Sequence, residues 1–368
     1  MGARAPFRAC LGFTLAFSVA LVAPVRAEAP CEICDLWLFE LEELEEREAN
    51  RPSTDFVLAL GMRYDRNRTI LEQLVSRLAP ASLSPVSRFS LSATTLDGPL
   101  VQAVPRLEVI DVTSSSSRSS DSVGNLDLFV WDRRKLAGRR LHSELRVYAD
   151  ARTEDSDQNY YEVSFRTGPS FDLSERWTAS LGLEGAFSFY GGERLSRLGA
   201  GVLSLRRRGG SAIRGVELRS GSEGFSGDLE DADAWFTDLV VELGSDALLV
   251  EEDSLRLLPR LTFNRARDER FSYQQAELGL FYSCPLLGPL SGRLETRGWR
   301  RLYDGHEPGL EDDRRDWRIG VAGALAWEGI LSPAITLELR YEIERRHSNN
   351  DLASYNGQSI GLFMIWHP

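Results

Sequence analysis

The feature that most constrains this chain is an alternation of apolar and polar residues that recurs between residues 54 and 366. In "WRIGVAGALAW", which runs from Trp317 to Trp327, apolar residues and Gly occupy every second position, and small or charged residues lie between them. A period of two is typical of a β-strand with one apolar face. Ten strand steps of about 3.3 Å, tilted by about 40°, rise roughly 25 Å, which is the height of the apolar band of an outer-membrane barrel.

The repeated alternation predicts the fold class. It indicates an all-β chain that folds as a transmembrane antiparallel up-and-down β-barrel over 54–368, with about 16 strands and a range of roughly 14–18. The segments near 197–206 and 212–219 are less clear than the others. The last alternating segment ends in Trp366. A final strand that ends in an aromatic residue is typical of barrels that the barrel assembly machinery recognises.

The predicted connections fall into two classes that we expect to alternate strictly along the chain. Residues 168–174 and 328–333 are examples of short turns, whereas 220–233 and 304–315 are examples of long polar loops. Outer-membrane barrels have short periplasmic turns and long extracellular loops. With an even number of strands, both termini are expected in the periplasm.

The N-terminal region predicts export. Residues 1–28 have Arg4 and Arg8 before an apolar stretch and small residues after it, as in a secretory signal peptide. Residues 29–53 are expected to form a periplasmic segment with a CxxC motif and a short Glu-rich helix. Two interpretations of this helix stay open: a packed terminal helix, or a plug that gates the barrel or docks a periplasmic partner.

Three cysteines remain after removal of the signal peptide, and they are the disulfide candidates: Cys31, Cys34 and Cys284. A loop disulfide within the CxxC motif is the simpler interpretation, and a redox or partner-linking role is the alternative. Because Cys284 lies in a predicted short turn, a bond from it to either N-terminal cysteine would tether the N-terminal segment to the barrel.

Composition excludes several classes of function. The net charge of −12 argues against nucleic acid as a partner. No run of 18 apolar residues follows the signal peptide, so a helical membrane protein is not expected. One CxxC motif cannot supply a four-ligand zinc site, and no calcium-loop motif is present, so no metal and no cofactor are predicted.

Charged residues occupy the polar positions of most predicted strands. Because such charges would cost roughly 2–4 kcal/mol each in lipid near the midplane, they are expected to line the lumen. They could be cross-strand pairs that stiffen the interior, or a polar pathway that selects permeants, and the two interpretations are compatible. The predicted lumen-lining residues are Arg63, Glu144, Arg146, Glu162, Arg166, Arg256, Arg260, Glu277, Arg293, Glu295, Arg297, Glu338, Arg340 and Glu342.

Large aromatic residues near strand ends predict a girdle at the membrane interfaces, where an indole ring can keep its N–H in water. The predicted girdle residues are Trp177, Trp235, Trp317, Trp327, Tyr341 and Trp366.

An enzyme is not predicted, and no catalytic residue is assigned. Both His–Ser pairs, at His142 and His347, join adjacent strand positions that point to opposite faces, so neither pair is a nucleophile–base unit. His306 and His347 lie in predicted outer loops, where they could meet, but solvated loop histidines are the simpler interpretation.

Two segments resemble known barrels. "LELRYEIERRHSNNDLASYNGQSIGLFMIW" at 337–366 resembles the closing hairpin of bacterial porin-like barrels, and in particular the barrel half of the surface-lipoprotein assembly modifier family. "ALGMRYDRN" at 59–67 is similar to the opening strand of the same barrels. The resemblance implies an outer-membrane barrel and, through that family, export of surface lipoproteins.

The sequence therefore predicts a Gram-negative outer-membrane porin-like channel or conduit barrel with a mixed Arg/Glu lumen. The alternative is a secretion barrel for surface lipoproteins or proteins, and the third possibility is a barrel hydrolase. Its expected partners are outer-membrane lipid, the assembly machinery and a periplasmic protein bound through the N-terminal helix.

Overall fold

The fold is described from a computed structural model of the 368-residue chain. Side chains are described for most residues from 140 onward. For the earlier strands, only the backbone is described. The signal peptide, the CxxC motif and the N-terminal helix expected within 1–53 lie outside the described residues. The structure describes residues 54–68, 82–93, 101–113, 120–136, 139–152, 159–207, 213–246, 250, 252–307, 309–310, 312–350 and 354–366.

The regular elements of the described residues are β-strands, as the period-two alternation predicts. Two short 3-10 helices, Gly227–Ala232 and Glu269–Phe271, lie in loops. The strands are β1 Thr54–Arg68, β2 Ser82–Ala93, β3 Val101–Thr113, β4 Ser120–Leu136, β5 Arg139–Arg152, β6 Tyr160–Asp172, β7 Trp177–Tyr190, β8 Glu193–Arg207, β9 Ile213–Phe225, β10 Ala234–Asp246, β11 Ser254–Ala266, β12 Tyr273–Leu287, β13 Leu290–Tyr303, β14 Arg315–Glu328, β15 Ile335–Ser348 and β16 Tyr355–Trp366.

Each strand pairs antiparallel with the next strand in sequence, and the sheet closes on itself. The first and last strands provide the closing pair, with a register from Leu58 opposite Trp366 to Arg68 opposite Asn356. The expected all-β, antiparallel, up-and-down architecture is confirmed. No helix among the described residues is long and apolar enough to cross a membrane.

Alternation divides the side chains of the closed sheet between two faces. On β10, for example, Trp235 is 58% exposed, whereas Asp238 is 4% exposed and lies on the opposite face. Paired residues on neighbouring strands share a face, so the same division passes from strand to strand. The ion pair between Arg166 on β6 and Glu217 on β9 joins strands three positions apart. Such a contact requires the concave side of the sheet, so this charged face is the inner one.

The structure corrects the predicted connections in three places. β6 runs to Asp172, so the turn expected at 168–174 begins later. β9 runs to Phe225, so the loop expected at 220–233 is shorter. A third connection is only the pair Gly191–Gly192, although it lies on the side where we expect long loops. Both glycines have positive φ, of 59° and 84°, which suits a tight hairpin turn. Strict alternation of loop length is therefore wrong.

Candidate functional site

The inner face of the barrel is the candidate functional site, because it gathers the charged residues of the described strands. The register places the predicted lumen residues of β5, β6, β11, β12, β13 and β15 on this face. Arg63 lies in β1, where only the backbone is described. The inward positions are those of Glu144, Arg146, Glu162, Arg166, Arg256, Arg260, Glu277, Arg293, Glu295, Arg297, Glu338, Arg340 and Glu342.

One network of ion pairs runs across β6 to β11. Arg166 donates to both carboxylate oxygens of Glu217, at 2.8 and 3.4 Å. Arg219 donates to Glu184 at 2.6 Å and lies 3.6 Å from Asp238. Arg260 donates to the same Asp238 oxygen at 2.9 Å. Two guanidinium groups from different strands therefore share one carboxylate.

Four residues of this network were not among the predicted lumen residues: Glu184, Glu217, Arg219 and Asp238. Two of them lie in β9, one of the segments whose alternation is unclear in the sequence. A short stretch of sequence could have identified the two residues of β9. Val216 and Leu218 are apolar, and they alternate with the charged residues Glu217 and Arg219. Glycines at 215 and 221 interrupt that pattern on both sides.

A second network covers the inner face of β12 to β15. Glu277 pairs with Arg297, and Arg293 donates to Glu338 at 2.6 Å. Arg340 lies 3.4 Å from Glu338 and 3.7 Å from Glu342. Opposite charges thus alternate along and across these strands, so positive and negative groups neutralise each other locally instead of forming a large region of one sign.

Aromatic rings and arginines cluster on the inner face near the ends of β12 to β15 that lead to the long loops. The guanidinium of Arg301 lies 4.2 Å from the ring centre of Tyr273 and 4.9 Å from that of Trp299. Next to this stack, the Asp316 side chain is fully buried and accepts hydrogen bonds from Arg314 at 3.1 Å and Arg346 at 2.9 Å. Cation–π contacts and shared carboxylates hold this end of the inner face together.

The loop at 267–272 carries a local ion pair outside the strands. Asp268 accepts hydrogen bonds from the backbone N–H and the guanidinium of Arg270. These bonds hold the pKa of the Asp268 carboxyl below its usual range.

The outer face carries the predicted girdle tryptophans. Trp235 is 58% exposed and Trp327 is 47% exposed, and Trp317 lies beneath the guanidinium of Arg345 at 5.3 Å. Trp177 contacts Arg207 at 5.8 Å from the ring centre to the guanidinium. Of the remaining two residues, Tyr341 faces outward near the middle of β15, away from both strand ends, and Trp366 ends β16, with its side chain outside the described residues.

The histidines considered as catalytic residues are not brought together. His142 pairs with Glu144, and the His347 ring lies 5.9 Å from the ring of Trp317. His306 is exposed in the loop after β13. Within the described part of the chain, no group of three or more His, Cys, Asp or Glu residues could hold a metal ion.

Cys284 takes part in a disulfide bond. Its side chain belongs to a small buried cluster on the outer face, where Cys284 and Tyr282 are each 4% exposed and Leu294 is 2% exposed. The other three cysteines of the chain lie within 1–53, outside the described residues.

Comparison with known proteins finds similar structures but no similar sequences. No protein family matches the chain, and no curated protein matches it. The resemblance to the surface-lipoprotein assembly modifier family is therefore not supported.

Several solved structures are similar in fold, at low sequence identity. Acinetobacter baumannii OccAB3 shares 10% identity with a TM-score of 0.47, covering 86% of this chain and 100% of that one. The outer membrane protein OpdK of Pseudomonas aeruginosa shares 11% identity with a TM-score of 0.47, covering 86% and 99%. OccD3 (OpdP) of Pseudomonas aeruginosa shares 12% identity with a TM-score of 0.41, covering 87% and 96%.

The shared carboxylate of Asp238 generates a prediction about stability. Asp238→Ala leaves Arg219 and Arg260 without this acceptor, and we expect the free energy of unfolding to fall by about 1–3 kcal/mol. Asp246→Ala on the same strand is the control. Its carboxylate is 60% exposed and pairs with Arg214, so we expect a loss below about 1 kcal/mol. Urea unfolding of both variants in lipid vesicles measures the difference, and equal losses would contradict the prediction.

Proposed function

We propose that this protein is a porin-like channel of a Gram-negative outer membrane. The observation that carries the proposal is a belt of large, exposed apolar side chains on the outer face of the closed sheet. Soluble monomers rarely expose contiguous apolar surface of this extent, whereas a lipid-facing barrel requires it. Members of the belt include Leu145, Phe165, Leu181, Leu183, Leu203, Leu218, Leu261, Phe263, Leu278, Leu325, Leu339, Ile360 and Leu362.

The proposed channel has sixteen membrane-spanning strands. Its support is the backbone pairing, in which β1 to β4 complete the ring begun by the twelve later strands. An even count leaves both termini on one side, which we assign to the periplasm after removal of 1–28. The long loop at 304–314 then lies on the cell surface. Trp235 and Trp317 form the girdle at the loop end of the strands, and Trp177 and Trp327 form it at the turn end.

The proposed pathway is the inner face, lined by both signs of charge. A barrel of sixteen strands leaves an aqueous channel unless a segment fills it. Ion pairs such as Arg293–Glu338 stiffen the wall, and the same groups provide charge for selecting permeants. No catalytic residue and no cofactor are part of this proposal.

The disulfide of Cys284 is proposed to join the barrel to Cys31 or Cys34. The support is that Cys284 is bonded, while Cys10 leaves with the proposed signal peptide and the two remaining cysteines belong to the CxxC motif. Such a bond attaches residues 29–53 to the turn end of the barrel. Two interpretations of that segment remain, a packed terminal helix or a plug or docking helix, and the truncation described next tests the plug.

Channel formation is tested by single-channel conductance of the refolded mature protein in a planar bilayer, with and without residues 30–50. We expect steady conductance from the longer form, because the lumen is polar. A rise on truncation identifies the segment as a plug, and an unchanged value excludes the plug and leaves a packed helix or a docking helix. Silence of both forms, in protein that still shows a heat-modifiable barrel on a gel, would overturn the channel proposal.

Charge in the pathway is tested by Arg293→Glu. Arg293 faces the lumen with 47% of its side chain exposed, so the reversal potential in a KCl gradient is expected to shift toward cation selectivity. The control is Arg265→Glu, an equal change of charge at an outward position that is 71% exposed. If the reversal potential shifts by the same amount in both variants, the result argues against a pathway past Arg293.

The tether is tested by mass spectrometry of peptides from the non-reduced mature protein. We expect a cross-linked pair that contains Cys284 and either Cys31 or Cys34, and Cys284→Ser is expected to remove it. A cross-link between Cys31 and Cys34, with Cys284 free, would contradict the tether while leaving the channel proposal intact.

A further inference from the structure

The outer face of β8 and β9 has a groove above a row of outward positions occupied by Gly and Ser. Gly199 lies opposite Ser222, Gly201 lies opposite Ser220, and Gly224 continues the row toward the loop end. A Cβ atom added to Gly199 would meet no atom within 4 Å, so the space above the floor is open. The groove has a volume of about 460 Å³.

Large side chains bound the groove on two sides. Phe187 on β7 is 45% exposed, and Trp235 on β10 is 58% exposed, so the two rings form opposite walls. Farther toward the turn end, Leu203 pairs with Leu218 on the same face. Beyond Gly199, the outward row of small residues continues to Gly201 and ends at Leu203, roughly 13 Å along β8 at about 3.3 Å per strand residue. A trough that is open above Gly199 and bounded by two aromatic rings fits an acyl chain.

Two arginines lie at the open, loop-side end of the groove. The Arg197 side chain crosses Gly224, where an added Cβ would meet its Nε at 3.1 Å. Arg194 lies opposite Phe189 and donates to the Ser226 hydroxyl at 3.1 Å. Within the described part of the chain, neither guanidinium has a nitrogen within 4.0 Å of a carboxylate oxygen, so neither forms an ion pair there. Such groups suit a phosphate, whose oxygens match the guanidinium fork.

An acidic side chain also borders this end of the groove. The carboxylate of Asp233 lines it, but its Oδ1 accepts the backbone N–H of Phe225 at 2.6 Å. That hydrogen bond holds the carboxylate against the backbone of β9. Among the described residues, Asp233 forms no ion pair with Arg194 or Arg197, so both guanidinium groups can donate to an external anion.

The depth of the arginines matches the level of lipid headgroups. Trp235 pairs with Ser222, and Arg197 pairs with Gly224, which is two residues, or roughly 7 Å, nearer the loops. Indole rings lie at the membrane interface, so a cation just beyond Trp235 lies among the headgroups. An outward arginine costs little at that depth, whereas it would cost roughly 2–4 kcal/mol at the midplane.

We propose that this groove binds one phosphorylated lipid, with its phosphate on Arg194 and Arg197 and one acyl chain between Phe187 and Trp235. The proposal rests on the proposed membrane location of the barrel. It assigns a specific lipid site to a surface that the channel function does not need.

The test is a titration of the full mature chain in detergent micelles, followed by native mass spectrometry. The probes are phosphatidic acid, diacylglycerol with the same chains, and inorganic phosphate. We expect one phosphatidic acid per chain, at least roughly tenfold weaker binding of diacylglycerol, and no displacement of the lipid by inorganic phosphate at equal concentration.

Two variants separate the two halves of the site. Arg194→Gln combined with Arg197→Gln removes the charge, and Gly199→Leu fills the groove, so each is expected to weaken phosphatidic acid binding by roughly tenfold or more. The matched controls are Arg207→Gln, at the opposite end of β8, and Gly323→Leu on β14, where an added Cβ also meets no atom within 4 Å. Both controls are expected to bind within about twofold of the unmodified protein, and heat-modifiable gel mobility checks the fold of every variant.

Three outcomes would overturn the lipid site. They are unchanged binding by the double arginine variant, equal binding of diacylglycerol, and displacement by inorganic phosphate, which would indicate a free-anion site. A fourth outcome would also overturn the lipid site: the unmodified protein binds no lipid but forms an oligomer that Gly199→Leu disrupts. That result would assign the groove to contact between copies of this chain. Conductance of the same sample tests the channel separately, because a conducting protein that binds no phosphatidic acid contradicts only the lipid site.

Discussion

The structure depends on one geometric constraint: in a closed sheet, a period of two leaves each residue only two directions. A residue that points outward on one strand lies beside outward residues on both neighbouring strands. The exposed apolar belt and the charged interior are therefore one property seen from two sides. A shift of one residue in the register of any strand would exchange its faces and place charges such as Asp238 outside and rings such as Trp235 inside.

The inner face shows how a barrel can carry many charges without a strong net field. Carboxylates are shared between two arginines, from different strands at Asp238, and from a loop and a strand at Asp316. Sharing offsets part of the desolvation of each group, because each charge keeps several partners when it leaves bulk water. In the proposed channel, positive and negative groups alternate along the wall. The more exposed members of these pairs, such as Arg293, are the groups that a permeant would contact.

Much of the fold could be predicted from the sequence, because alternation is a local property. The segment from Trp317 to Trp327 matches β14, Arg315–Glu328, and its two tryptophans lie near the two strand ends as their spacing predicts. The less clear strands were β8 and β9, where glycines and serines occupy the outward positions on the loop side of Leu203 and Leu218. The absence of large side chains there weakened the strand signal, and the same absence forms the groove between Phe187 and Trp235.

The contacts within the candidate site could not be predicted in the same way. Glu144, Arg166 and Arg260 are evident from their alternation, but the pairing of Arg166 with Glu217 depends on the curvature that brings β6 toward β9. Loop lengths also escaped prediction at Gly191–Gly192, since two glycines indicate a tight turn locally while the parity of the loops suggested a long one. Local chemistry was the better guide at that position.

The pairing of β1 with β16 has a consequence for how the barrel forms. The two strands that close the ring lie at opposite ends of a segment of about 300 residues, so their seam joins residues far apart in the chain. Until that seam forms, the sheet has two free edges, each a row of unpaired N–H and C=O groups that can recruit another strand. Non-local pairing of this kind is slow. The open sheet therefore needs protection from aggregation until its two edges pair. The time that closure takes then depends on the cell as well as on the chain.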